Sequence, residues 1–169
     1  AHKYKEWSEL PLSKRCNFIN KFRKVIVKNQ DELHKVLESE TGKKDFDIFI
    51  EYFGALEHLK QITKIAKKAL KPNSRNSGLM KNKKAYVLYE PLGVAGIISP
   101  WNYPLTTPLT ATVGALLAGN NVVLKPSEHT PLTSIFLKKL WDENVGYEKA
   151  FNVVVGDGEV GSMLVGSSE

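Results

Sequence analysis

One cysteine among 169 residues rules out an internal disulfide framework, and such sparing use fits a reducing compartment. No apolar stretch approaches the ~18 residues needed for a membrane helix. The opening Ala1-His2-Lys3-Tyr4 does not resemble a secretory signal, so a cytoplasmic protein without a membrane span is expected. Histidines His2, His34, His58 and His129 show no paired spacing and join no cysteine cluster, so no metal site is expected. The Gly-x-Ser-x-Gly elbow is absent, which removes a hydrolase triad through Ser99. Arginine is scarce as well, with 3 of the 24 basic residues. Lysine is the poorer phosphate fork, and no aromatic residues alternate with these lysines as on a nucleic-acid stacking surface. The net charge of +6 therefore reads as solvated helix faces, and no nucleic-acid partner is expected.

The charge is nonetheless uneven. Residues 1–90 hold 20 Lys/Arg against 11 Asp/Glu, while residues 91–169 hold 4 against 7. The basic half has helical periodicity. Pro11 suits a first turn, and Cys16, Ile19, Phe22 and Ile26 follow at spacings of three and four. Cys16 lies on that apolar side without a partner histidine, so it is expected to be structural. Leu33, Val36 and Leu37 mark a second helix, with Asn29 and Asp31 as cap candidates and Gly42 as its stop. The third is long, and one stripe from Phe46, Phe49, Ile50 and Phe53 through Leu59 to Ala69 is expected to pack in the core. Residues 71–78 read as a loop by composition, and Ala85–Tyr89 reads as a strand before Pro91.

The acidic half follows a different rule. Val94–Ile98 and Asn121–Leu124 are continuous apolar runs, so both faces of each strand should be covered, as in a parallel sheet. Between them Leu105, Leu109, Val113, Leu116 and Leu117 recur at helical spacing, and Gly119 suits the residue after a helix end. A third run, Phe151–Val155, extends this to a βαβαβ unit. Such units bind ligands beyond the carboxyl ends of their strands. The polar clusters Ser99-Pro100-Trp101-Asn102 and Lys125-Pro126-Ser127-Glu128 sit at two of those ends. Gly156-x-Gly158-x-x-Gly161 follows the third strand, where it reads either as a close approach to a nucleotide or as a tight strand-to-helix turn.

EPLGVAGIISPWNYP (90–104) and LLAGNNVVLKPSEHTPL (116–132), with LPLSKRC and VLESETGKK upstream, resemble the N-terminal part of the NAD(P)-dependent aldehyde dehydrogenase superfamily. The resemblance implies an α/β fold: an N-terminal helical layer plus an incomplete Rossmann-like parallel βαβαβ sheet. It divides the chain into N-terminal helices at 1–83, a strand of an oligomerisation element at 84–90, and part of an NAD-binding core at 91–169. It further implies oxidation of an aldehyde to a carboxylic acid, with NAD as hydride acceptor and NADP as the alternative. The family's nucleophilic cysteine and general-base glutamate lie further downstream, so the chain reads as a fragment expected to be inactive alone. A homo-oligomer, dimer or tetramer, is implied for the full-length parent.

Asn102 alone reads as a helix cap or Asx turn. The resemblance instead makes it the donor that binds the oxyanion, where a carboxamide N–H stabilises developing charge. Lys125 and Glu128 are implied to share the adenosine ribose. Their alternative readings are an exposed strand-end lysine and a first-turn acid favoured by the next helix dipole. Ser99, Pro100, Trp101, Gly158 and Gly161 complete the implied cofactor site, and Tyr103, Thr106, Thr107 and Thr110 the implied substrate wall. A coenzyme-A-acylating or phosphate-dependent relative is the alternative enzyme. A nucleotide-binding or oligomer-forming module without catalysis is the alternative class.

Overall fold

The computed structural model describes residues 5–167. A short helix α1 (Lys5–Ser8) leads into α2 (Leu12–Lys28), α3 (Gln30–Thr41) and the long α4 (Asp45–Ala69). Two short strands, β1 (Asn73–Arg75) and β2 (Ala85–Val87), pair antiparallel. Then come β3 (Val94–Ile98), α5 (Thr106–Leu117), β4 (Asn121–Lys125), α6 (Leu132–Asn144), β5 (Phe151–Val153) and α7 (Gly158–Gly166). The sheet order is β3-β4-β5, and both pairings are parallel. This is the expected βαβαβ unit, with a helical layer of α2, α3 and α4 against α5 and α6.

The first helices form as their periodicity requires. Cys16, Ile19, Phe22 and Ile26 of α2 are all buried, and α3 ends at Gly42 with φ of 68°. Asn29 stands at the N-cap position of α3, as expected, but makes no side-chain cap bond. The Asn29 side chain donates backward to the Val25 carbonyl at 2.8 Å, and Asp31 lies inside the first turn of α3.

In α4 the expected stripe is corrected. Phe46, Phe49, Ile50 and Phe53 are exposed, at 73%, 57%, 51% and 55%, while Ile48, Glu51, Ala55, Leu59, Thr63 and Ala66 are buried. The face turned inward is the narrower one, with the small residues Ala55 and Ala66 in its row. Phe49 and Phe53 stack on each other outside, with ring centroids 6.0 Å apart.

Two strand expectations also change. Asn73–Arg75 is a strand, although its composition is that of a loop, because Asn73, Ser74 and Arg75 pair with Val87, Tyr86 and Ala85. Coverage of both faces holds for β4, where four of five residues are buried, but not for β3, whose Ile98 is 53% exposed. β4 lies between two strands whereas β3 has a partner on one side.

Aromatic rings fill the space between the helical layer and the end of the sheet. Trp141 meets Trp7, Phe22 and Phe151 edge-on at 5.1 to 6.0 Å, the favoured arrangement for paired ring quadrupoles. Trp7 also donates its indole N–H to the Leu116 carbonyl at 2.9 Å, which ties α1 to α5.

Both ends of α5 are held by charged side chains of that layer. At the carboxyl end the Arg15 Nε donates to the Leu117 carbonyl at 3.1 Å, and the same guanidinium reaches the Leu10 and Ser8 carbonyls. Burial lowers the Arg15 pKa from its ordinary value. Gly119 follows with φ of 97°, and an added Cβ would lie 3.3 Å from Pro91 and 3.4 Å from the guanidinium carbon. The positive φ favours glycine there, and the contacts leave little room for a side chain. At the amino end the carboxylate of Glu51 accepts the amide protons of Leu105 at 2.8 Å and Thr106 at 3.3 Å. Anion at the start and cation at the end match the helix dipole.

Candidate functional site

The polar residues predicted from sequence gather where strands end. Ser99 and Lys125 stand at the carboxyl ends of β3 and β4, held together by the Ser99 amide donating to the Lys125 carbonyl at 3.1 Å. A groove of about 610 Å³ opens beside them, with Ser99, Pro100, Lys125, Glu128, Gly158 and Gly161 in its lining. Six of the seven expected cofactor residues are thus brought together; Trp101, exposed at 60%, is not among the lining residues. Ser162 and Val165, on the next turns of α7, line the groove as well and carry no sequence motif.

Lys125 is almost fully buried, at 3% exposure. Its ammonium donates to the Pro126 carbonyl at 2.9 Å and stands 3.9 Å from the Glu128 carboxylate. Gly161 packs on its stem, with the place for a Cβ 3.6 Å from Lys125 Cδ and Cε. The Ser99 hydroxyl is buried with no hydrogen-bond partner among the described residues. The hydroxyls of Thr112 and Ser134, which do not line the groove, are buried in the same way.

Glu128 is exposed and is not the first-turn acid of α6. That position belongs to Glu40 of α3, which accepts from the Leu132 amide at 2.7 Å, the Thr133 amide at 3.0 Å and the Thr133 hydroxyl. Glu128 is left beside the groove. A hydrogen bond from its own backbone lowers its carboxyl pKa from the ordinary value; desolvation opposes this, and the neighbouring Lys125, His129 and Ser127 add to the lowering. It is an anion at neutral pH.

The glycine motif serves the turn as well as the groove. Asp157 caps α7 by accepting from the Glu159 and Val160 amides at 2.9 and 3.4 Å. A Cβ on Gly156 would come within 2.3 Å of Val160 Cγ2. Gly158 then opens the helix at the groove wall.

The capping reading of Asn102 is replaced by a longer-range one. The first amides of α5 go to Glu51, and no side-chain cap bond comes from the residue before the helix. Asn102 is exposed. Its backbone carbonyl accepts from the Lys43 ammonium at 2.7 Å, and that ammonium is paired with Glu51 at 2.6 Å. Tyr103 lies under the same ammonium, 4.3 Å from the ring centroid.

Of the expected substrate wall, Thr106 gives its hydroxyl to the Glu51 carbonyl at 3.0 Å, and Thr110 bonds back to the Thr107 carbonyl at 3.1 Å. Tyr103 is half exposed, and Thr107 is partly exposed. Lys43, Glu51 and Glu40 were not singled out from sequence. One signal was present: Glu51 is a lone acid in the buried row Ile48, Ala55 and Leu59 of α4.

Cys16 is buried and apart from this groove. Its thiol donates to the Thr63 carbonyl at 3.7 Å, and burial raises its pKa despite Lys67 and Arg15 nearby. No group of three or more potential metal ligands occurs among the described residues. Nor is any described helix long and apolar enough to cross a membrane.

An open groove outside the carboxyl ends of parallel strands, with a buried lysine and an exposed acid at its wall, is where an α/β fold of this kind places a ligand crevice. The family model described as "Aldehyde dehydrogenase family" matches residues 1–169, and the chain belongs to that family. A Mycolicibacterium smegmatis protein provisionally named succinate-semialdehyde dehydrogenase [NADP(+)] is 36% identical over 155 residues, covering 91% of this chain and 30% of its own length. A Pseudomonas aeruginosa protein provisionally named coniferyl aldehyde dehydrogenase is 35% identical, covering 88% of this chain and 32% of its own. The fold matches methylmalonate-semialdehyde dehydrogenase of Oceanimonas doudoroffii with TM-score 0.91 and 27% identity, over 99% of this chain and 34% of that one. It also matches betaine aldehyde dehydrogenase of Staphylococcus aureus, solved with NAD+, with TM-score 0.88 and 29% identity, over 95% and 33% of the two chains. The chain thus spans about a third of the length of the relatives it matches.

Proposed function

We propose that these residues are the N-terminal part of an enzyme that oxidises an aldehyde to a carboxylic acid with NAD as hydride acceptor. The observation that carries the reading is the division of labour among acids and amides. Glu51 and Glu40 cap α5 and α6, which relieves Glu128 of structural duty at the wall of the groove and leaves the Asn102 side chain, exposed in the turn after β3, with no capping role. Asn102 then serves as the oxyanion donor. Its carboxamide N–H stabilises charge that develops on the aldehyde oxygen once a nucleophile adds, without moving a proton. The nucleophilic thiolate and the base belong to the rest of the whole protein, and Cys16, buried with a raised pKa, is not the nucleophile.

The groove would hold part of a dinucleotide. Its volume of about 610 Å³ falls within the ~300–1,000 Å³ of ordinary ligand sites. Lys125 and Glu128 would hold the adenosine ribose by its hydroxyls, with Ser99, Pro100, Gly158 and Gly161 lining the same groove. When bound, NAD supplies the hydride acceptor. The anionic Glu128 accepts from a free 2′-hydroxyl and repels a 2′-phosphate, so NAD is preferred over NADP.

Tyr103, Thr107 and the Thr106 and Thr110 methyls would form a modestly polar wall for small or medium aldehydes. Tyr86, Leu88 and Tyr89, exposed on and beside the β1–β2 pair, support a homo-oligomer, dimer or tetramer, through this edge. The test of the central reading is Asn102→Ala in the whole enzyme. Because Asn102 caps nothing, its removal leaves thermal stability unchanged and lowers kcat by roughly 10²–10³. A variant with undiminished kcat overturns the oxyanion assignment.

A further inference from the structure

We infer that Lys43 and Glu51 form a positioning pair for Asn102, fixing the peptide whose side chain receives the oxyanion; the inference rests on the role proposed above for Asn102. The Glu51 side chain is wholly buried and that of Lys43 is 20% exposed. A buried ion pair loses hydration that its own attraction barely restores, so apolar residues of the same size stabilise a core equally well. Such a pair is explained when its geometry sets the register of something else.

Here that something is three residues long. One Glu51 oxygen accepts the amides of Leu105 and Thr106, and the other accepts Lys43 at 2.6 Å. Lys43 uses another proton on the Asn102 carbonyl at 2.7 Å. The segment Asn102-Tyr103-Pro104 is therefore strung between two attachments to a single carboxylate. Lys43 also lies over the Tyr103 ring at 4.3 Å, so one ammonium fixes both the peptide of Asn102 and the neighbouring aromatic. The Thr106 hydroxyl, bound to the Glu51 carbonyl, adds a third tie to the same turn of α4. Without the pair, an exposed turn with no side-chain cap of its own is free to tilt. A displacement of ~1 Å at a catalytic group costs up to about 100-fold in rate.

The experiment measures kcat and KM of the whole enzyme for Lys43→Met, Lys43→Arg, Glu51→Gln and Asn102→Ala, and for Lys43→Met combined with Asn102→Ala. Lys44→Met, a neighbour whose side chain is 82% exposed, is the control and leaves both constants unchanged. Lys43→Met and Glu51→Gln should lower kcat by roughly 10- to 100-fold, less than Asn102→Ala, with aldehyde KM within about threefold. Lys43→Arg should recover most of the loss. On the Asn102→Ala background, Lys43→Met should cost less than about twofold more, because its effect passes through the missing carboxamide.

Should Glu51→Gln fail to fold, the partly exposed Lys43 decides alone. A folded Lys43→Met with normal kcat, beside a crippled Asn102→Ala, overturns the positioning pair and spares the oxyanion reading. So does a full multiplicative loss in the double variant. A normal Asn102→Ala overturns the oxyanion reading and the pair with it.

Discussion

Replacing Glu40 and replacing Glu128 should have opposite consequences, although sequence alone marks Glu128 as the acid at the start of α6. Glu40 receives the amides of Leu132 and Thr133 and the hydroxyl of Thr133, a residue with 0% exposure. Losing a cap costs about 0.5–2 kcal/mol. A buried hydroxyl left without a partner adds about 1–3 kcal/mol. Glu40→Ala should therefore destabilise the fold by about 3 kcal/mol, which for a unit of this size lowers Tm by roughly 6–12 °C. Glu128→Ala removes an exposed side chain that caps nothing, and should lower Tm by less than Glu40→Ala, its structural cost being loss of the anion 3.9 Å from buried Lys125. Dinucleotide affinity should respond the other way, falling in Glu128→Ala and holding in Glu40→Ala while the protein stays folded. Thermal unfolding monitored by circular dichroism, with titration of NAD at a temperature where both variants are folded, reads both effects. If Glu128→Ala proves the less stable of the two, the assignment of caps is wrong.

The whole enzyme should use NAD with higher kcat/KM than NADP, and Glu128→Gln should narrow the ratio; equal efficiency in the wild type refutes the ribose assignment. Because the Glu128 carboxyl pKa is lowered, the anion and with it this preference should persist to a lower pH than an ordinary glutamate would allow, a prediction read by measuring the ratio at each pH. Residues 1–169 alone should produce no aldehyde-dependent NADH, since an oxyanion donor without nucleophile or base does not turn over. Cys16 should resist iodoacetamide at neutral pH in the folded protein, and Cys16→Ser should leave turnover nearly unchanged; loss of turnover in a folded variant would make Cys16 the nucleophile. Small and medium aldehydes should be the better substrates, and a panel showing turnover of long-chain aldehydes alone contradicts the threonine-lined wall.

Local patterns in the chain carried much of the architecture. The parallel unit follows from Val94–Ile98, Asn121–Leu124 and Phe151–Val155 because continuous apolar runs punctuated by glycine and proline leave few other arrangements. The groove residues follow from their positions just after those runs. The exposed face of α4 did not follow, since periodicity says that Phe46, Phe49, Ile50 and Phe53 share a face with one another and not which of two apolar faces turns inward. Strand β1 escaped because Asn73-Ser74-Arg75 has no β-forming residue, and only its partner makes it a strand. Glu51 and Glu40 escaped for a related reason. Their targets lie 54 and 92 residues away, beyond any local capping pattern.

That sequence distance also bears on the order of folding. α5 and the turn before it are secured by Arg15, 102 residues upstream of its acceptor, and by Glu51, 54 residues upstream. Closing such large loops is entropically slow, and contacts of this span form late in a folding reaction. During synthesis the order runs in the chain's favour: Arg15 and Glu51 leave the ribosome before α5 exists. A docked layer of α2 and α4 would then be waiting when residues 101–117 emerge. The turn that carries Asn102 would take its shape by docking on that surface, through the Lys43 and Glu51 contacts that hold it in the folded chain.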